Sequence, residues 1–226
     1  MSVEIRRVLG SESDLPLLRR CAAVETLAFA DSALNPVVFP GPFDPGADDK
    51  RAGELLSLLR EEPGARIFVA VDPEAERDAD ADDDDDDAVL GWAKWAVYPD
   101  ATPPPKPRVW GPGVNKEAAD LVFGAIDKMR ERAMVGKPWV YLHILVIDPK
   151  HQRRGIGQQL MSWGMQEAAR LNIPSFLESS VAGRRLYQKC GYRDIDVAET
   201  SLRRFGLDEI HRNWGMLWEP PNKRCP

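Results

Sequence analysis

The sequence predicts an α/β fold, a central sheet with helices on its faces, and three observations carry that prediction. Strand-like alternation and helix-like periodicity succeed one another along the chain, with no internal repeat. Residues Trp139–Ile147 are apolar at both sets of alternate positions, as in a strand covered on two faces. Directly after them, Gly155 and Gly157 open a helical stretch ringed with basic side chains.

The elements follow in order. Val3, Ile5 and Val8 mark a first short strand. Ser13 or Asp14 can cap a helix running to about Ala30, whose apolar face is Leu15, Leu18, Ala22 and Phe29. Asp31 to Asp49 is a Pro- and Gly-rich loop, too long for a plain connector, and its Val37, Val38, Phe39 and Phe43 argue for order. Lys50–Glu61 reads as a helix, and Arg66–Val71 and Val89–Tyr98 as the two strands of a hairpin. A second Pro-rich loop, Thr102–Asn115, precedes a helix over Lys116–Val135. Beyond Trp139–Ile147 come a helix from Arg154 to Leu171, a strand at Ser175–Glu178 and a helix at Val181–Cys190 closed by Gly191. Tyr192–Val197 and Trp214–Trp218 are the last strands. The chain reads as one domain over residues 1–226, with a disordered acidic insert at about 72–88.

That insert distorts the charge balance. The formal net charge of −6 comes from 30 Lys and Arg against 36 Asp and Glu. Eleven of the acids, with one Arg, lie between Asp72 and Asp87, and the remainder carries a balance of +4. The folded part is therefore mildly basic, and the overall acidity says nothing about its partners. A nucleic-acid role is not expected, because the aspartate run repels phosphates. No apolar run approaches the roughly 18–20 residues that cross a bilayer, and the first residues lack a signal-peptide core. Cys21, Cys190 and Cys225 are widely spaced, without a paired metal-ligand pattern, so neither a metal nor a disulfide framework is expected. These features suit a reduced, soluble protein of the cytoplasm or nucleus.

Chemistry concentrates in Ile147-Asp-Pro-Lys-His-Gln-Arg-Arg-Gly-Ile-Gly157. A helix start exposes free N–H groups, and glycine lets an anion approach them. Acids are favoured there, yet Lys150, Arg153 and Arg154 crowd the positive end of the dipole. An anion at the turn removes that conflict. The segment is neither a dinucleotide fingerprint, which needs a third glycine, nor a P-loop, which needs Gly-Lys-Ser/Thr.

Pro149-x-x-Gln152-Arg153-Arg154-Gly155-Ile156-Gly157 resembles the acyl-CoA signature of the GNAT superfamily of N-acetyltransferases. About thirty residues on, Gly183-Arg-Arg-Leu-Tyr187-Gln-Lys-Cys-Gly-Tyr192 is similar to that superfamily's Ala-x-x-Leu-Tyr-x-Lys-x-Gly-Phe segment. Phe176-Leu-Glu-Ser-Ser and the late Trp214/Trp218 strand are most similar to small fungal members of unknown substrate. The resemblance implies a mixed sheet of six to seven strands splayed between the fourth and fifth, with acetyl-CoA as acetyl donor held in the splay. It implies that backbone amides of Gln152, Arg153, Arg154, Gly155, Ile156 and Gly157 cradle the pyrophosphate. It further implies that the pantetheine arm pairs with the backbone of Leu145, Val146 and Ile147, and that Tyr187 is the general acid. Ser180 and Gly183 stand where the family usually has Asn and Ala, which alters coenzyme contacts there.

An alkylammonium of pKa about 10.4 is almost wholly protonated at neutral pH, so direct transfer needs a base. Glu178 is the first candidate, against a hydrogen-bonded strand carboxylate as the plainer reading. His143, among apolar residues, reads more readily as a core histidine than as a catalyst, and His151 as a solvated or phosphate-side residue. The Asp31–Asp49 and Thr102–Asn115 loops and the first helix offer Glu25, Asp31, Phe39, Phe43 and Trp110 to a cationic amine. The acceptor is expected to be a small amine or amino compound, with a peptide N-terminus or protein lysine as the alternative. A non-catalytic coenzyme-binding or interaction module is the reading from another class. The chain is expected to act as a monomer or homodimer.

Overall fold

The computed structural model describes residues 3–74 and 89–221. Its strands are β1 (Glu4–Val8), β2 (Ala65–Val71), β3 (Val89–Tyr98), β4 (Trp139–Ile147), β5 (Ser175–Ser179), β6 (Arg193–Ser201) and β7 (Ile210–Trp218). Its helices are α1 (Leu15–Phe29), α2 (Asn35–Val38), α3 (Ala47–Glu61), α4 (Lys116–Met134), α5 (Ile156–Leu171) and α6 (Val181–Lys189). The strands form a seven-stranded sheet in the order β1-β2-β3-β4-β5-β7-β6. Pairs β1–β2, β2–β3, β5–β7 and β6–β7 are antiparallel and β4–β5 is parallel, so the sheet is mixed.

Contacts divide the chain into two compact units. The first comprises Met1–Ala30, Pro45–Val97 and Leu142–Gly164. Here Ala52, Leu55 and Leu56 of α3, with Leu59 one turn on, keep helical spacing. With Leu18, Cys21 and Val24 of α1 they cover Ile67, Val69, Trp92 and Val146. Burying each large side chain contributes about 1.5–3 kcal/mol. The Trp92 indole N–H donates to the Cys21 carbonyl at 2.7 Å, so the tryptophan's one polar atom is satisfied inside this core. Elsewhere in the unit, Trp163 packs on Phe68 and Trp95, with ring centroids 4.6 and 6.2 Å apart.

The second unit comprises Asp31–Asp44, Tyr98–Tyr141 and Met165–Pro226. Val122, Ile126 and Met129 of α4 pack with Val38, Ala198 and Leu202. Trp139, Tyr141, Phe176 and Leu217 form a further buried cluster. The two Pro-rich loops meet: Gly41 N–H donates to the Gly113 carbonyl at 3.0 Å, and Asn115 N–H to the Val38 carbonyl at 2.9 Å. Among the described residues, no helix is long and apolar enough to cross a membrane.

Several details depart from the sequence reading. Asp14 stands at the N-cap of α1 without a side-chain capping bond; its carboxylate turns back to accept from the N–H groups of Gly10 and Ser11, both at 2.8 Å. Pro16, in the first turn, favours the start of that helix. The first Pro-rich loop contains the short helix α2, and α3 begins at Ala47 rather than Lys50. Strand β4 is fully buried from Trp139 to Leu142 and again at Val146, whereas His143 is exposed and Ile144, Leu145 and Ile147 are half-buried. His143 is therefore not a core histidine. Apolar alternation reports a preference for apolar surroundings without saying what supplies them, which is why the half-buried positions were not legible. The acidic insert lies, from residue 75 to 88, outside the described residues, as does Cys225.

Candidate active site

In the first unit, β4 leads into a tight turn. Buried Asp148 accepts from the Lys150 N–H at 2.8 Å, while its own N–H donates to the Leu90 carbonyl at 3.0 Å. Helix α5 then starts at Ile156, so Gly155 is its N-cap and only Gly157 lies in its first turn. The Gly155 carbonyl accepts from Gln159 N–H at 3.2 Å. A glycine cap brings no side-chain acceptor, and the first turn holds no acid. The leading amides of α5 thus have neither an intrahelical nor a cap partner to satisfy them.

Backbone conformation aims the turn. Arg153 has φ +62° and Gly155 φ +80°, so two residues in left-handed conformation flank Arg154. That costs a non-glycine residue about 1–2 kcal/mol, and alternating hands bring successive N–H groups round a concavity that suits an anion. A side chain at position 155 would meet nothing within 4 Å, so the glycine serves conformation and access rather than packing. The residues fit a pyrophosphate on the chemistry of these donors. An open groove of about 510 Å³ adjoins the turn, lined by Ile5, Gly155, Gln158, Gln159 and Ser162.

His151 is half-buried, and its Nδ1 lies 2.8 Å from Arg154 Nη1. A guanidinium only donates, so Nδ1 is the accepting atom of this contact. The imidazole thereby orients one of the basic side chains of the turn.

The second unit holds Tyr187 and Glu178. Helix α6 ends in a Schellman motif, with Gly191 at φ +88°, Tyr192 N–H donating to the Tyr187 carbonyl and Gly191 N–H to that of Gln188, both at 3.0 Å. The associated apolar contact is Tyr187 against Tyr192, ring centroids 6.3 Å apart. Tyr187 is buried beside Gly183, and burial, with the Cys190 thiol second, pushes its phenol well above its usual range. It stays protonated and able to donate. Ser180 caps the helix, accepting from Gly183 N–H at 3.3 Å, so this hydroxyl is engaged within α6.

Glu178 is held from two sides. Arg130 Nε donates to Oε1 at 2.7 Å and the Tyr141 hydroxyl to Oε2 at 2.6 Å. Burial would lower the pKa of Arg130, but Glu178, Tyr141 and Asp127 outweigh it and raise it; Tyr141 is raised by burial and by the Glu178 charge. Both groups are fixed donors. Sequence reasoning missed them; the only local signal was Arg130 directly after the buried Met129 of α4.

The acceptor candidates divide. Phe39 and Trp110 pack on Phe123, at centroid distances of 6.2 and 5.3 Å, and Trp110 Nε1 donates to Asp120 at 2.7 Å. Glu25 belongs to the first unit, where Arg51 binds it in bidentate fashion at 3.0 and 3.2 Å. Among the described residues, no group of three or more His, Cys, Asp or Glu stands ready for a metal.

Comparison with known proteins bears on these motifs. A model of the acetyltransferase (GNAT) domain matches residues 116–194, which include both. Over 91 residues the chain is 34% identical to a probable acyltransferase, SID5, of Ajellomyces capsulatus, covering 38% of this chain and 57% of that protein. Over 84 residues it is 29% identical to an uncharacterized N-acetyltransferase of Schizosaccharomyces pombe, covering 37% of this chain and 35% of that one. The chain thus spans about half or less of these relatives' lengths. Among solved structures, a mosquito arylalkylamine N-acetyltransferase-like protein shares the fold at TM-score 0.61 and 16% identity, covering 96% of this chain and 100% of the other. YncA of Salmonella typhimurium, solved with acetyl-CoA, does so at TM-score 0.54 and 14% identity, covering 100% and 98%. Residues 116–194, which carry the turn after β4 and the Tyr187 helix, thus match the acetyltransferase (GNAT) domain, and the mixed sheet has the fold of these solved structures.

Proposed function

We propose that the chain transfers the acetyl group of acetyl-CoA to a primary amine by direct attack, with a small amine or amino compound as acceptor. The observation that carries the donor is the turn at Gln152–Gly157, an acid-free helix start with a glycine cap and three basic residues nearby. Its amides would hold the pyrophosphate, and the backbone of Leu145–Ile147, where Leu145 and Ile147 are half-buried, would pair with the pantetheine arm. An amide near Leu145 would receive the thioester oxygen as negative charge develops there.

Glu178 is the proposed base. Each of its oxygens accepts one donor and retains a second lone pair for the amine proton or a linking water. His143 is the other candidate, because it is exposed on β4 and shares a face with Tyr141 and Leu145. Once deprotonated, the amine nitrogen bonds to the carbonyl carbon, and its second proton is lost as the C–S bond breaks. One proton ends on sulfur and one is released. A thiol has a pKa of about 8.5 and a phenol about 10, so full transfer from Tyr187 is uphill. Tyr187 therefore stabilises the departing thiolate chiefly by hydrogen bonding.

A free-thiol release assay over a panel of small amines, peptide N-termini and lysine peptides tests this reading. Release above the hydrolysis background with small primary amines is expected. Release only with peptides would move the acceptor class, and binding without release would leave a coenzyme-binding module.

A further inference from the structure

We propose that Arg130 is a positioning residue for acetyl transfer, acting through Glu178 and itself held by Asp127. The proposal rests on Glu178 as the base. Arg130 Nε meets Glu178 Oε1 at 2.7 Å, and Nη1 meets Asp127 Oδ1 at 3.1 Å. The guanidinium carbon stands 4.9 Å from the Tyr141 ring centroid, and the same tyrosine's hydroxyl holds Oε2. Asp127 is gripped in turn by Arg108, at 3.1 and 2.9 Å. A ladder thus runs from the Thr102–Asn115 loop, through α4, to a carboxylate on β5. Side-chain exposure falls along it from 35% at Arg108 through 22% and 15% to 8% at Glu178.

Stability alone does not account for such a chain. Desolvating buried ions costs about as much as their pairing returns, and apolar residues of similar volume hold elements together as well or better. What the ladder supplies that apolar packing does not is orientation. A planar guanidinium with two of its donors engaged, lying over an aromatic face, has little freedom, and neither does the carboxylate it grips. A base must sit within hydrogen-bond reach of the proton it takes, and a misplacement of about 1 Å costs on the order of a hundredfold in rate. The groups facing Glu178 are Arg130 and Asp127 from α4 and Tyr141 from β4, with Arg108 from the loop behind Asp127.

The test is a double-mutant cycle in steady-state kinetics with the best amine from the panel. Arg130→Gln should lower kcat by about tenfold to a hundredfold, with KM for acetyl-CoA changed less than twofold. In a Glu178→Gln background the same change should have no further effect on kcat, because it acts only through that carboxylate. Arg130→Lys should recover part of the loss, and Asp127→Asn should give a smaller loss of the same kind. Acetyl-CoA titration and thermal melts of each variant report folding, and Asp127→Asn carries the test if Arg130→Gln does not fold. A full additional loss in the Glu178→Gln background, or an unchanged kcat in Arg130→Gln, overturns the positioning role. An unchanged kcat in Glu178→Gln itself overturns the base assignment, and the positioning role falls with it.

Discussion

The ring of Tyr187 lies against the α-carbon of Gly183, one helical turn away: a β-carbon at position 183 would stand 2.9 Å from Tyr187 Cε2 and 3.5 Å from its hydroxyl oxygen. The smallest side chain therefore sets where the phenol points. Tyr187→Phe should lower kcat by about a hundredfold while leaving acetyl-CoA affinity nearly unchanged. Gly183→Ala displaces the ring and should reproduce much of that loss. Combined with Tyr187→Phe it should add little, as steady-state thiol release will read out.

Gly155 is expected to affect binding rather than turnover. Gly155→Asp puts a side chain on a backbone at φ +80° and a negative charge where the anion is to sit. A loss of at least about tenfold in acetyl-CoA affinity is expected in calorimetric titration. Gly155→Ala, which brings strain without charge, should lose less.

Lys150, Arg153 and Arg154 are exposed. Their attraction for phosphates is screened by salt, with a Debye length of about 10 Å at about 0.1 M ionic strength. Acetyl-CoA affinity should fall steadily as sodium chloride is raised. Affinity for a truncated acetyl-pantetheine without phosphates should barely respond.

Buried phenols predict alkaline instability. Burial raises Tyr141, Tyr187 and Tyr192 above their ordinary value, with the Glu178 charge contributing at Tyr141, and it raises the Cys21 thiol. A raised folded pKa gives stability that is complete below the unfolded value and is lost as pH climbs toward the folded one. Denaturant unfolding should show stability falling from about pH 9, where Cys21 of the unfolded chain ionises, and more steeply above about pH 10. Each group contributes a slope of about 1.4 kcal/mol per pH unit. Tyr192→Phe should make the fall above pH 10 shallower.

Local patterns revealed much of the fold and the glycine-bearing turn after β4. Apolar periodicity placed β4 and α4, and Gly155 marked the turn because a left-handed, access-giving position needs that residue. The surroundings of Glu178 were invisible because Arg130 is 48 positions away and Tyr141 37, and no periodicity encodes such a pairing. Ser180 has a local role as well: its partner, Gly183, is only three residues away, and the hydroxyl caps α6. The half-buried positions of β4 were hidden because Leu145 and Ile147 look the same in sequence whether or not side chains cover them.

The most direct measurement follows acetyl-CoA and a small primary amine together, with free thiol and acetylated amine quantified in the same reaction. Thiol and N-acetyl product should appear one for one, at a rate that Tyr187→Phe cuts about a hundredfold. Tight acetyl-CoA binding with no product from any amine on the panel would contradict the account.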